Sequence, residues 1–138
     1  MPNDCCNYIT ITCEDGVLLD TLVKNELQHL ESDGTYVYNN NVNMLTKGRR
    51  GIIFDIWSPN NPNFEWLQGL LSKYPNCWIK NEWIEEGGFA GVWVGCYRVG
   101  KIIIRELTWN DLSLEARHYL FMNEEEERLE KEREKKRL

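Results

Sequence analysis

Three strand-like runs, at about 77–85, 89–98 and 101–107, follow one another with only Glu86-Gly87-Gly88 and Val99-Gly100 between them. Such short, glycine-bearing connections are hairpin chemistry, so the three runs pair antiparallel. Two earlier runs have the same character. Asn7–Cys13 alternates and is rich in β-branched residues, with Ile9 and Ile11 on one side and Tyr8, Thr10 and Thr12 on the other. Gly51–Trp57 puts Ile52, Phe54 and Ile56 on one side and Ile53, Asp55 and Trp57 on the other. Residues 35–50 are polar and Asn-rich, with Tyr36-Val37-Tyr38 as a short strand.

Helical periodicity separates these runs. Leu19, Leu22, Val23, Leu27 and Leu30 recur at steps of three and four, which predicts an amphipathic helix over about 16–31, closed by Ser32-Asp33-Gly34. Leu67, Leu70, Leu71 and Tyr74 form the stripe of a second helix, with Asn61 as N-cap, Pro62 in the first turn and Pro75 at the end. A third helix is predicted from Asn110-Asp111, with Leu112, Ala116, Tyr119 and Leu120 on one side. The order of elements is α+β: a ferredoxin-like antiparallel sheet with two packing helices, extra C-terminal hairpin strands and a C-terminal helix. At 138 residues the expectation is one domain over 1–122.

Composition narrows the function. The chain carries 16 Lys+Arg against 22 Asp+Glu, a net charge of -6. Duplex-DNA binding needs clustered basic charge, and an anionic membrane surface attracts the same, so neither partner is expected. No apolar run reaches the ~18 residues of a membrane span. The opening Met1-Pro2-Asn3-Asp4-Cys5 lacks a basic segment followed by an apolar one, which predicts a cytoplasmic protein. The five cysteines, Cys5, Cys6, Cys13, Cys77 and Cys96, include no C-x-x-C pair. They read as reduced, mostly buried thiols, and neither a metal site nor a cofactor is expected.

Three local patterns resemble a known family. Met1-Pro2-Asn3-x-Cys5-x-Asn7 leads straight into a strand, Phe54-Asp-Ile-Trp57-Ser58-Pro59 ends one, and Glu86-Gly87-Gly88-Phe89-Ala90-Gly91 turns one strand into the next. In order and spacing these resemble the Api92-like proteins, with their ferredoxin-like domain of the YubB type, over roughly residues 1–107. The family usually has Trp where this chain has Asp4, and Pro where it has Asn60. The resemblance implies a ferredoxin-like fold, a phage or plasmid origin and action in the host cytoplasm; it assigns no catalytic residue.

The strand patterns also sort the faces. Ile9, Ile11, Ile52, Phe54, Ile56, Val92, Val94, Ile102 and Ile104 are expected to pack under the first two helices. The opposite face then collects Tyr8, Thr10, Thr12, Asp55, Trp57, Trp93, Tyr97, Lys101 and Arg105. The third helix or a second subunit could cover that face, or it could serve as an aromatic platform of the kind that stacks bases. Lys47-Gly48-Arg49-Arg50 adds the one compact basic cluster of the first hundred residues, suited to phosphate. The candidate recognition residues are therefore Arg49, Arg50, Trp57, Trp83, Trp93, Tyr97 and Arg105. They describe a non-catalytic binding protein for a host protein or a nucleotide-like ligand, with self-association left open; the resemblance to the Api92-like proteins implies an accessory or counter-defence role. A small metal-dependent hydrolase or nuclease using Asp55, Glu82, Glu85 and Glu86 is the enzymatic alternative, and a single-stranded nucleic-acid module the third.

Residues 123–138 change character, with seven acidic and six basic residues and only Leu129 and Leu138 apolar. Glu124–Arg128, Glu127–Lys131 and Glu132–Lys136 are favourable i,i+4 pairs, so a charged helical or frayed tail is expected. Truncation after Met122 should leave the thermal midpoint almost unchanged, since so little apolar surface is at stake. A scanning-calorimetry drop of more than about 5 °C, which for a domain this size is roughly 1–2 kcal/mol, would show that the tail packs.

Overall fold

The computed structural model describes residues 4–59, 62–109, 128–129 and 131–136. Strand β1 (Asp4–Cys13) leads to helix α1 (Gly16–Leu22), which continues as one π-helical turn over Val23–Leu27. A small hairpin follows, β2 (Gln28–Leu30) with β3 (Tyr36–Tyr38). Then come β4 (Val42–Lys47), β5 (Gly51–Pro59), α2 (Phe64–Lys73), β6 (Cys77–Glu85), β7 (Ala90–Arg98) and β8 (Lys101–Trp109). The fold is α+β. Six strands form an antiparallel sheet in the order β4-β5-β1-β6-β7-β8, and β2-β3 stand apart from it.

β1 lies inside the sheet, paired along its length with β5 on one side and β6 on the other. Ile9 is opposite both Phe54 and Asn81, and Ile11 opposite both Ile52 and Ile79. These side chains share one face and are buried under the helices. Asp15 caps α1, its carboxylate accepting from Val17 N at 2.9 Å, and Leu19, Leu22, Val23 and Leu27 are buried. α2 buries Leu67, Leu70 and Leu71. The π turn meets the end of α2 through Glu26, which accepts from Tyr74 Oη at 3.2 Å and from Lys73 Nζ at 3.2 Å.

The first helix is shorter than its periodicity predicts. The chain leaves it at Leu27, His29 lies in β2 instead of a helix, and Leu30, placed on the buried stripe by spacing, is exposed. His29 has polar partners off the helix, Asn39 Oδ1 at 2.8 Å and Glu31 Oε1 at 3.2 Å. β4 forms inside the Asn-rich stretch expected to be loop, with a register shift between Met44 and Thr46. β5 runs on through Ser58-Pro59. α2 starts at Phe64 after Asn63, whose side chain makes no cap bond; the expected cap Asn61 lies outside the described residues. So does the third helix expected from Asn110, while 128–129 and 131–136 in the tail are helical and exposed.

The largest correction concerns β7. Trp93 is opposite Asn81 and therefore on the helix face, where it is 0% exposed. Tyr97 shares that parity, and Val92 and Val94, expected in the core, are half-buried on the opposite face. Glycines explain the choice. A Cβ at Gly95 would come within 2.6 Å of the Trp93 ring, and one at Gly91 within 2.7 Å of the Trp83 ring. Both indoles lie down over bare backbone. Phe64 of α2 then stacks on Trp93 at 5.9 Å and meets Trp83 edge-on at 6.1 Å.

The β7–β8 turn holds one strained residue. Val99 has φ 51° and Gly100 φ 75°, the paired positive φ of a type I′ hairpin turn. Left-handed backbone costs a non-glycine residue roughly 1–2 kcal/mol, and the Val99 side chain is fully exposed, so no packing offsets it. Val99→Asn should raise unfolding free energy by about 1 kcal/mol in urea titration. An unchanged or lowered midpoint would show that the turn relaxes in solution.

Candidate functional site

The face away from the helices is the largest functional candidate. Its rows follow from register. Cys6 is flanked by Trp57 and Ile84, and Tyr8 in the next row by Asp55 and Glu82. Beyond Glu82 that row continues through Val92 to Leu107. Trp57 is 53% exposed, Ile84 51% and Tyr8 40%, and Phe89 in the adjoining turn is exposed as well. One end of the open face is thus an apolar, aromatic patch rimmed by carboxylates. Exposed apolar surface that is contiguous in this way marks contact sites more often than scattered residues do.

The seven sequence-predicted residues do not form one site. Trp83 and Trp93 belong to the packing under Phe64. Trp57 and Arg105 share the open face, but β1, β6 and β7 lie between their strands, a separation of about 19 Å at the usual strand spacing. Arg49 and Arg50 sit in the β4–β5 turn, about 25 Å along β5 from Trp57. There Arg50 O accepts from Cys13 N at 2.8 Å. Arg49 lines a cavity of about 270 Å³ with Asp15, Gly16 and Asp20, where Lys47 Nζ meets Asp20 Oδ1 at 2.9 Å. Tyr97 borders a second cavity of about 290 Å³ with Trp78, Arg98 and Glu14.

The carboxylates of the enzymatic alternative are also dispersed. Asp55 and Glu82 flank Tyr8, Glu85 has the opposite parity and Glu86 is in the turn. Asp55 accepts from Asn43 Nδ2 at 3.2 Å, and Glu82 pairs with Lys80 at 3.1 Å. Among the described residues no group of three His, Cys, Asp or Glu side chains could hold a metal ion.

Sequence reasoning missed a buried polar row beside the indoles. Asn7 and Asn81 are both fully buried. Asn7 Nδ2 donates to Ser58 Oγ at 2.8 Å and Ile56 O at 3.1 Å, and Asn81 Nδ2 donates to Asn7 Oδ1 at 2.9 Å. Asn81 Oδ1 and the indole N–H groups of Trp83 and Trp93 have no hydrogen-bond partner. The parity of Asn7 with Ile9 and Ile11 in β1 carried the signal for the first of these.

All five cysteines are free. Burial pushes the Cys5 thiol up to about 11 and Cys77 up to about 12, the latter aided by its hydrogen bond to Cys13. Burial, then the Asp55 charge, raises Cys6.

Comparison of the chain with family models, with curated proteins and with solved structures returns no match.

Only the thiolate reacts with alkylating agents, and a raised pKa keeps the thiol neutral at pH 8. Iodoacetamide at that pH should therefore modify Cys5 and Cys77 only after denaturant is added, as peptide mass mapping would show. Native-state labelling of Cys77 at the unfolded rate would mean that the β1–β6 end opens freely.

Proposed function

We propose that the chain is a non-catalytic binding protein that docks the open face of its sheet onto another protein. The observation that carries this reading is the exposed row Trp57–Cys6–Ile84 with Tyr8 beside it. Aromatic and aliphatic side chains presented on a rigid sheet are the usual anchors of protein recognition. A base-stacking site fits less well. Trp83 and Trp93 are committed to the core, and Asp4, Asp55 and Glu82 share the open face with the aromatics that remain. Carboxylates there repel a phosphate backbone.

The frame we propose is ferredoxin-like. β1-α1-β4 and β5-α2-β6 interleave as two β-α-β units, giving the order β4-β5-β1-β6, and β7-β8 extend it as an extra hairpin. This order supports the resemblance to the Api92-like proteins in Phe54–Pro59 and Glu86–Gly91. From that resemblance alone comes the rest of the proposal: an accessory factor of a phage or plasmid, acting in the host cytoplasm against a host defence.

Site-specific photocrosslinking tests the docking. With Trp57→benzoylphenylalanine, irradiation in cells should yield a covalent adduct to another polypeptide. Val17→benzoylphenylalanine, at an exposed position of α1 away from the open face, should not. Equal yields, or none at position 57, would overturn the reading.

A further inference from the structure

Two of the five cysteines meet across the sheet. Cys13 ends β1, Cys77 begins β6, and the register sets them directly opposite each other. Both side chains have the parity of Ile11 and Ile79 and are buried on the helix face, at 4% and 2% exposure. The other three have no such neighbour. Cys5 is opposite Ser58 and Glu85, Cys6 opposite Trp57 and Ile84, and Cys96 opposite Trp78 and Ile103.

The backbone defines the kind of pair. Cys13 N donates to Arg50 O at 2.8 Å, so its peptide groups point to β5. Asp4, of the other parity in β1, accepts from Glu86 N at 3.0 Å on the β6 side. The alternation of an antiparallel ladder therefore leaves Cys13 and Cys77 as a non-hydrogen-bonded pair. Such pairs bring Cα atoms to about 4.5 Å, with the side chains at their closest. A disulfide spans Cα separations of roughly 4.4–6.8 Å. The two thiols already interact.

We propose that Cys13 and Cys77 form a redox site, a dithiol that closes to a cross-strand disulfide at the strand separation the sheet already has. The site is separate from the docking face: it lies on the helix side, at the end of β1 remote from Cys6 and Trp57. The oxidant is a low-molecular-weight disulfide such as oxidised glutathione. The thiolate of one cysteine attacks it, releasing one small thiolate and leaving a mixed disulfide. The other cysteine then attacks the protein sulfur of that mixed disulfide and releases the second small thiolate. Each protein thiol gives its proton to a departing thiolate. The protein loses two S–H bonds and gains one S–S bond, and the small disulfide is reduced to two thiols.

Burial sets when this happens. In the paired strands the thiols are covered, and a bond once formed is covered too. Exchange is therefore confined to openings of the β1–β6 end and to folding itself. In a reducing compartment the pair stays as two thiols, and it closes when disulfide oxidants accumulate. The closed bond ties a long loop, from the end of β1 through α1, β5 and α2 to the start of β6. Closing a loop of that kind restricts the unfolded ensemble and so stabilises the fold.

Refolding of the full chain from urea in a mixture of oxidised and reduced glutathione, with acid quench and peptide mass mapping, tests the pairing. The expected product is one linked peptide pair, Cys13 with Cys77, leaving three of the five thiols open to alkylation in denaturant. Its thermal midpoint should lie roughly 8–16 °C above that of the reduced chain, the usual gain from a disulfide in a domain of this size. Cys77→Ala, refolded in the same buffer, should show neither the linked peptide nor the gain. Absence of the Cys13–Cys77 peptide from the unaltered chain overturns the proposal. So do linked peptides of Cys5, Cys6 or Cys96 in equal amount, or a midpoint that falls on oxidation. The mapping needs no variant, so it decides the matter even if the Cys77→Ala chain does not fold.

Discussion

Everything in the sheet depends on the double pairing of β1. Partners directly opposite in an antiparallel ladder share a face, so the parity of Ile9 and Ile11 is passed from strand to strand. Through Asn81 it reaches Trp93, and through Trp93 it reaches Glu106. A slip of one residue between β1 and β5 would bury Asp55, and one between β1 and β6 would bury Lys80, each exposing apolar side chains in exchange. The same parity forces Asn7 and Asn81 into the interior. Their amides, Ser58 Oγ and the Ile56 carbonyl bond to one another, which limits the cost of burying four polar groups.

Sequence patterns made β1 and β5 legible because only one parity of each is uniformly apolar. Ile9, Ile11, Ile52, Phe54 and Ile56 are all buried as expected. In β7 both parities are apolar, since Gly-Val-Trp-Val-Gly offers valines on one side and tryptophan between glycines on the other. Hydrophobicity cannot decide there; shape does. An indole needs both cover and floor space, and two glycines supply the floor while Phe64 supplies the cover. The flanking glycines were thus the available signal, and they marked packing and not access. The early end of the first helix was less legible, because Leu30 kept the helical spacing while Gln28 and His29 paired with β3.

The candidate site was legible residue by residue and not as a whole. Trp57 and Arg105 were correctly assigned to the open face, but strand-end position says nothing about which end. β5 begins beside Arg50 and finishes beyond Trp57, so its two loops sit at opposite ends of the sheet. Ile84 and Cys6, which flank each other and complete the patch with Trp57, become neighbours only through the β1–β6 register. No local pattern contains that information.

The division of aromatics between the two faces sets the kind of recognition available. The helix face consumes Trp83, Trp93 and Phe54, the large rings that a stacking site would need. What remains outward is a broad sheet face with Trp57 and Tyr8 towards one end and the half-buried Trp78 towards the other. The exposed charges at its margins would each contribute little on their own, because water and salt screen them. In the docking proposed above, marginal charges would set orientation and speed of approach, while Trp57 and Ile84 would hold the complex once formed. The arrangement of rows on this face is inherited from the parity of a single central strand.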